Sequence, residues 1–231
     1  GGQYMLEKEL ELKKRWLIPL LILYILIVLK FTLSIQFGAF DYLFLPFLGI
    51  LTLYCQFGRQ GVKLLFKRPK SNMFLWTPLI VFMCVLIGAV TVLIGRSLGI
   101  TNLAANGGVE KIFNNHDLFS KVIFFLFAWI HLIGEELITA AVCLPFLIIL
   151  LKIFPKKVAI MIAVLLSSLT FGAIHLPTYD WNIYQSLIVI SAIRLPFTFM
   201  WFKSRSILGG AIPHIVLDYI IIIATLLTKF Y

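Results

Sequence analysis

The stretch LFSKVIFFLFAWIHLIGEELITAAVCLPFLIILLKIF, residues 118–154, is apolar almost throughout yet carries two adjacent acids, Glu135 and Glu136, near its middle. It outlasts the roughly 20 residues that one upright helix needs to cross a hydrocarbon core of about 30 Å. The stretch therefore reads as a membrane-embedded helical region, broken or kinked at Pro145, that holds two carboxylates at depth.

The rest of the chain agrees with that setting. Its 231 residues are 61% hydrophobic and 13% charged, and the mean hydropathy is +1.02, values foreign to soluble globular domains. The fold class expected is all-α, a polytopic transmembrane bundle in a multi-pass cell-membrane protein. A net charge of +10 raises the question of nucleic acid. The basic residues, however, sit in short segments between apolar runs, as in cytoplasmic loops, so no nucleic-acid partner is expected. Cys55, Cys84 and Cys143 lie in or beside apolar runs without CxxC spacing and read as small core hydrophobes.

Hydropathy predicts spans at about Trp16–Gln36, Tyr42–Phe57, Trp76–Gly95, Leu118–Phe154, Val158–His175, Trp181–Phe202 and Ile207–Leu227. That is seven, or eight if Pro145 divides the fourth. Residues 1–15 read as a remnant, Gly1 to Tyr4, before an expected start at Met5 and a charged amphipathic leader from Leu6 to Arg15. Residues 16–117 form the amino-terminal spans and loops, and residues 118–231 form the region carrying chemistry, within one integrated membrane domain. Arg59, Lys63, Lys67, Arg68 and Lys70 crowd one connection, and Lys152, Lys156, Lys157, Lys203 and Arg205 fall on the same side. This asymmetry predicts a cytoplasmic amino terminus.

Ionisable groups inside a bilayer are costly and usually mark a pathway or a site. Here they are few: Glu135 and Glu136, His175 at the end of the fifth span, and His214 with Asp218 in the last. At 1.5 Å per residue, Glu135 lies about 24 Å beyond Phe119, and His214 about 11 Å beyond Ile207, so the groups can meet inside the bundle. His214 and Asp218 are one turn apart on one face, where the carboxylate can orient the imidazole or share a ligand with it. His131 shares the face of Glu135 and reads more economically as a bundle-facing histidine hydrogen-bonded to a neighbour. His116 reads as a solvated loop residue, and the tryptophans as interfacial belts and core.

Three motifs stand in order: the paired glutamates of GEELITA (134–140), Phe-x-x-x-His in FGAIH (171–175), and His-x-x-x-Asp in HIVLD (214–218), the last approached by RSILGGAIPH (205–214). In these the chain resembles the CAAX protease and bacteriocin-processing membrane endopeptidases, also called the Abi family, over roughly Phe119 to Tyr231. One departure stands out. That family usually has arginine four residues after the second glutamate, where this chain has Ala140. Arg194, rare in lying within a span, could supply the guanidinium from another helix.

The resemblance implies an intramembrane endopeptidase acting on a membrane-associated peptide or protein, with bacterial relatives serving peptide maturation or bacteriocin self-immunity. A bacterial source is the expectation. Glu135, with Glu136, suits a general base toward water that His175 helps to place. His214 and Asp218 suit stabilising the oxyanion or protonating the leaving amine. Family members have been described as metalloproteases, and Glu135, His175 and His214 could hold Zn²⁺; without HExxH the sequence does not demand it, and a metal-free water is preferred. Two other readings stand beside this one. The first is a non-catalytic immunity or regulatory protein bound to a membrane-protein partner, such as a sensor kinase or bacteriocin receptor; the second is a small transporter, against which the absence of an internal repeat counts.

Overall fold

Asp117 accepts hydrogen bonds from the backbone N–H groups of Phe119 (3.1 Å) and Ser120 (3.0 Å), and this cap starts the longest helix of the chain. The computed structural model describes residues 10–104, 106–107 and 117–229. The residue 1–4 remnant, Met5, the start of the leader and His116 lie outside the described residues. Among those described there are seven α-helices and no strand: α1 (Leu17–Thr32), α2 (Asp41–Leu65), α3 (Met73–Ser97), α4 (Leu118–Leu150), α5 (Lys156–Ile174), α6 (Ser191–Ser204) and α7 (Leu208–Lys229). A π-helical segment, Gln185–Ile190, runs directly into α6.

Among the described residues six helical stretches are long and apolar enough to cross a membrane, the π segment and α6 counting as one. α1 has only 16 residues, shorter than the first span that hydropathy predicted. The helix stops at Thr32, four residues short of Gln36, and Ser34 beyond its cap turns the chain away with φ of +50°. The fourth region is one helix and not two: α4 runs unbroken for 33 residues through Pro145. The Ala141 carbonyl, four residues before Pro145 and so without its helical donor, accepts instead from Gln56 Nε2 at 2.9 Å. At 1.5 Å per residue α4 is about 50 Å long, so it must tilt or extend beyond a hydrocarbon core of about 30 Å. Part of the basic connection after the second span is also helical, because α2 continues to Leu65 beyond a kink at Gly58, where φ is +69°.

α4 is the central post. Every residue from 134 to 145 is buried, the pattern of a helix enclosed on all sides. It packs most extensively on α2 and α5 and also meets α7. Small residues allow the close approach to α2: a Cβ on Gly134 would lie 2.4 Å from Pro46 Cδ, and one on Gly49 would lie 2.6 Å from Leu137 Cβ. The side-chain amide of Gln56 donates to the Ala141 carbonyl at 2.9 Å, tying the same two helices by a polar bond inside apolar surroundings. Outward faces of α1 and α3 expose Leu21, Ile22, Ile25, Phe82 and Val85, the arrangement of helices solvated by lipid. α6 packs on α3, α5 and α7, which sets it across the core from α4.

Candidate active site

Consecutive residues on a helix point about 100° apart, so Glu135 and Glu136 face different neighbours. Glu136 is fully buried, as is Arg194 of α6. The guanidinium forks onto the carboxylate, one nitrogen on each oxygen, the Nη2 to Oε2 bond being 2.9 Å. Trp201 Nε1 donates to the same Oε2 at 2.7 Å, and His214 Nδ1 donates to Oε1 at 2.7 Å. Four donors saturate this carboxylate. Arg194 is further enclosed by the rings of Trp201, Phe171 and Phe197, whose centroids lie 4.8, 5.2 and 5.7 Å from its central carbon. A guanidinium in this setting is matched in plane, charge and polarizability, which a lysine would not be.

Glu135 has no such cation. Its Oε1 lies 3.4 Å from His131 Nε2 and 3.6 Å from His175 Nε2, and its Oε2 lies 3.6 Å from His214 Nε2. Three imidazoles thus surround one carboxylate without closing a tight hydrogen bond on it. Thr139 donates its hydroxyl to the Glu135 backbone carbonyl at 2.7 Å, one turn along α4.

The tautomers follow from the partners. His175 Nδ1 sits 2.7 Å from the Phe171 carbonyl, which only accepts, so Nδ1 carries the hydrogen and Nε2 of the neutral ring is a lone pair facing Glu135. His175 caps the end of α5, its ring 4.4 Å from that of Phe171. His214 Nδ1 donates to the ion-paired Glu136, so its Nε2 can donate outward only as the imidazolium. The ring of Phe197 stacks on His214 at 4.7 Å and holds its plane.

Of the residues singled out from sequence, Glu135, Glu136, His175 and His214 converge. Asp218 stands at the rim, its side chain 35% exposed and 3.9 Å from His214 Nε2, beyond hydrogen-bond reach. The carboxylate that orients His214 is therefore Glu136, across the bundle, and not Asp218 on its own helix. Trp201 was missed, having been grouped with belt and core tryptophans. Its signal was spacing: Arg194, Phe197 and Trp201 fall at i, i+3 and i+7 and share one face of α6. Gly210 makes room for it, since a Cβ there would lie 2.4 Å from Trp201 Nε1.

Residues 117–220, from the cap of α4 past Asp218, match the family model described as Rce1-like, type II CAAX prenyl endopeptidase. Over that stretch the chain is similar to the Rce1-like endopeptidases. The matched segment contains every residue of the site just described, and the family is one of membrane proteases acting on membrane-associated peptides within a lipid environment. No curated protein and no solved structure matches the chain. Ala140, where the resemblance read from the sequence expects arginine, is fully buried in the apolar core.

His175 and His214 approach different oxygens of Glu135, each imidazole nitrogen 3.6 Å from its oxygen. Among the described residues no group of three or more His, Cys, Asp or Glu side chains is arranged to hold a metal.

Proposed function

We propose that this Rce1-like protein is an intramembrane endopeptidase that uses Glu135 to activate water against a peptide bond of a membrane-associated peptide or protein. The observation that carries the reading is the division between the two glutamates. All donors around Glu136 are permanent protein groups, whereas Glu135 presents a carboxylate to three imidazoles at 3.4–3.6 Å and has no guanidinium of its own. Glu136 is an anchor, and Glu135 is the base.

The geometry supports a specific course. Glu135 Oε1 and the His175 Nε2 lone pair are 3.6 Å apart. One water at about 2.8 Å from both would subtend roughly 80° at its oxygen and could give a hydrogen to each, leaving its own lone pair free for the carbonyl carbon. As the water oxygen attacks, its proton passes to Glu135 and the carbonyl becomes an oxyanion. His214, as an imidazolium held by Glu136, offers Nε2–H to that charge without reorganising. Asp218, at the rim beside His214, contributes a carboxylate that favours the imidazolium. Collapse of the tetrahedral intermediate then breaks the C–N bond, and the proton on Glu135 goes to the leaving amine.

The reading of a non-catalytic immunity or regulatory protein drew on Ala140. Arg194 reaching Glu136 from α6 brings a guanidinium to the pair that Ala140 cannot, which weighs against that ground. Peptide maturation or self-immunity to bacteriocins, and a cytoplasmic amino terminus, belong to the same proposal. The test is cleavage of membrane-linked peptides by the purified protein in liposomes. Glu135→Gln keeps shape but removes the base, and a loss of about 10²–10⁴-fold is expected with folding unchanged; His175→Ala is expected to fall comparably. A wild type that cleaves nothing while both variants keep the cellular phenotype would replace this reading with the binding one.

A further inference from the structure

His131 belongs to none of the three motifs, yet the structure sets its Nε2 3.4 Å from Glu135 Oε1, the nearest imidazole to that carboxylate. Its position follows from the helix: four residues before Glu135 on α4, it lies on the same face one turn away. Its side chain is 40% exposed, against 15% for His175 and 5% for His214, so it is the most accessible of the three imidazoles around Glu135. Its Nε2 has no other polar partner among the described residues.

Resting on the proteolytic reading, we infer that His131 is a positioning residue for Glu135. Its Nε2–H donates to Oε1 and fixes the rotation of the carboxylate, so that the remaining lone pairs face the water shared with His175. Glu136 needs no such help, being held by Arg194, Trp201 and His214. Glu135 cannot be given the same treatment, because a guanidinium on its oxygens would take the lone pairs that must accept the proton. A single neutral donor of the same helix holds the group with less loss of basicity than a guanidinium would impose.

The contact runs through Nε2 and not Nδ1, and that distinction gives the test. The amide nitrogen of glutamine reaches where Nε2 lies, and that of asparagine reaches where Nδ1 lies. His131→Ala should lower kcat roughly tenfold with KM unchanged, the low end for a hydrogen bond to a charged group because the site is partly wet. His131→Gln should recover most of the rate and His131→Asn should not. Diethyl pyrocarbonate, which acylates exposed imidazoles, should bring the wild type down to the rate of His131→Ala and leave the initial rate of His131→Gln unchanged. Full activity in His131→Ala, or equal rescue by asparagine and glutamine, overturns the assignment while leaving the proteolytic reading standing. A wild type without cleavage removes both.

Discussion

Replacing Arg194 with methionine keeps the length and apolar volume of the side chain but deletes the cation. Glu136 then stays fully buried with only the Trp201 and His214 donors, each at 2.7 Å. Removing one partner of a buried ion pair costs about 3–5 kcal/mol, because the other charge is left without compensation. For a chain of 231 residues that corresponds to a fall in midpoint temperature of roughly 10 °C, and to a change of about 10²–10⁴ in the unfolding equilibrium. The second variant decides the matter. In Arg194→Met with Glu136→Gln the stranded charge is gone, and Trp201 and His214 still find an acceptor in the amide oxygen. The double variant should therefore regain about 1–3 kcal/mol relative to Arg194→Met. The assay is thermal unfolding in one detergent, followed by tryptophan fluorescence, with all three variants and the wild type. Additive losses, the double variant falling by the sum of the two single ones, would refute the claim that this pair is an energetic unit. Cleavage should fall in every variant that carries Glu136→Gln, since a neutral amide accepts the Nδ1–H of His214 but no longer favours its imidazolium.

His214→Asn should keep the donor to Glu136 and so unfold near the wild-type temperature, while losing Nε2 and with it about 10²-fold or more in kcat; thermal melts and cleavage on one preparation test both halves. Gly210→Ala should cost about 1–3 kcal/mol and shift the tryptophan emission, because a Cβ there would lie 2.4 Å from Trp201 Nε1, and an unchanged melting curve would count against that crowding. At the start of α4, the Ser120 hydroxyl, then the Ser120 and Phe119 backbone N–H groups, hold the exposed Asp117 carboxyl below the usual aspartate range. Its folded-state value being depressed, the cap is in force above the ordinary carboxylate range and is lost as pH falls through the folded value. Amide protection at Phe119 and Ser120 should drop there, whereas Phe74, capped by the non-titrating Asn72, should not follow.

Much of the site could be read in the sequence because apolar surroundings make each ionisable residue conspicuous. Glu135, Glu136, His175 and His214 were visible on that ground, and Arg194 was visible as the one arginine inside a span. What could not be read was which neighbour each group meets. Helical spacing gives the angle of a side chain on its own helix, so Asp218, one turn from His214, looked like its partner. The bond actually made, from His214 to Glu136, crosses 78 residues of sequence and depends on how α4 and α7 pack. Trp201 was hidden for the same reason, since its indole N–H has meaning only once Glu136 lies opposite it. The unbroken course of α4 through Pro145 was likewise decided by surroundings, the proline being buried with every residue from 134 onward.

The arginine's place on α6 also bears on how the protein is made. Synthesis runs from the amino terminus, so Glu136 enters the membrane 58 residues ahead of Arg194 and 78 ahead of His214. A chain halted between α4 and α6 holds the acids but neither the guanidinium nor the imidazole of α7, and has to carry an uncompensated carboxyl near water or a chaperoning channel. The ring of donors around Glu136 therefore closes only after α6 and α7 have been made, and a product truncated before them lacks it.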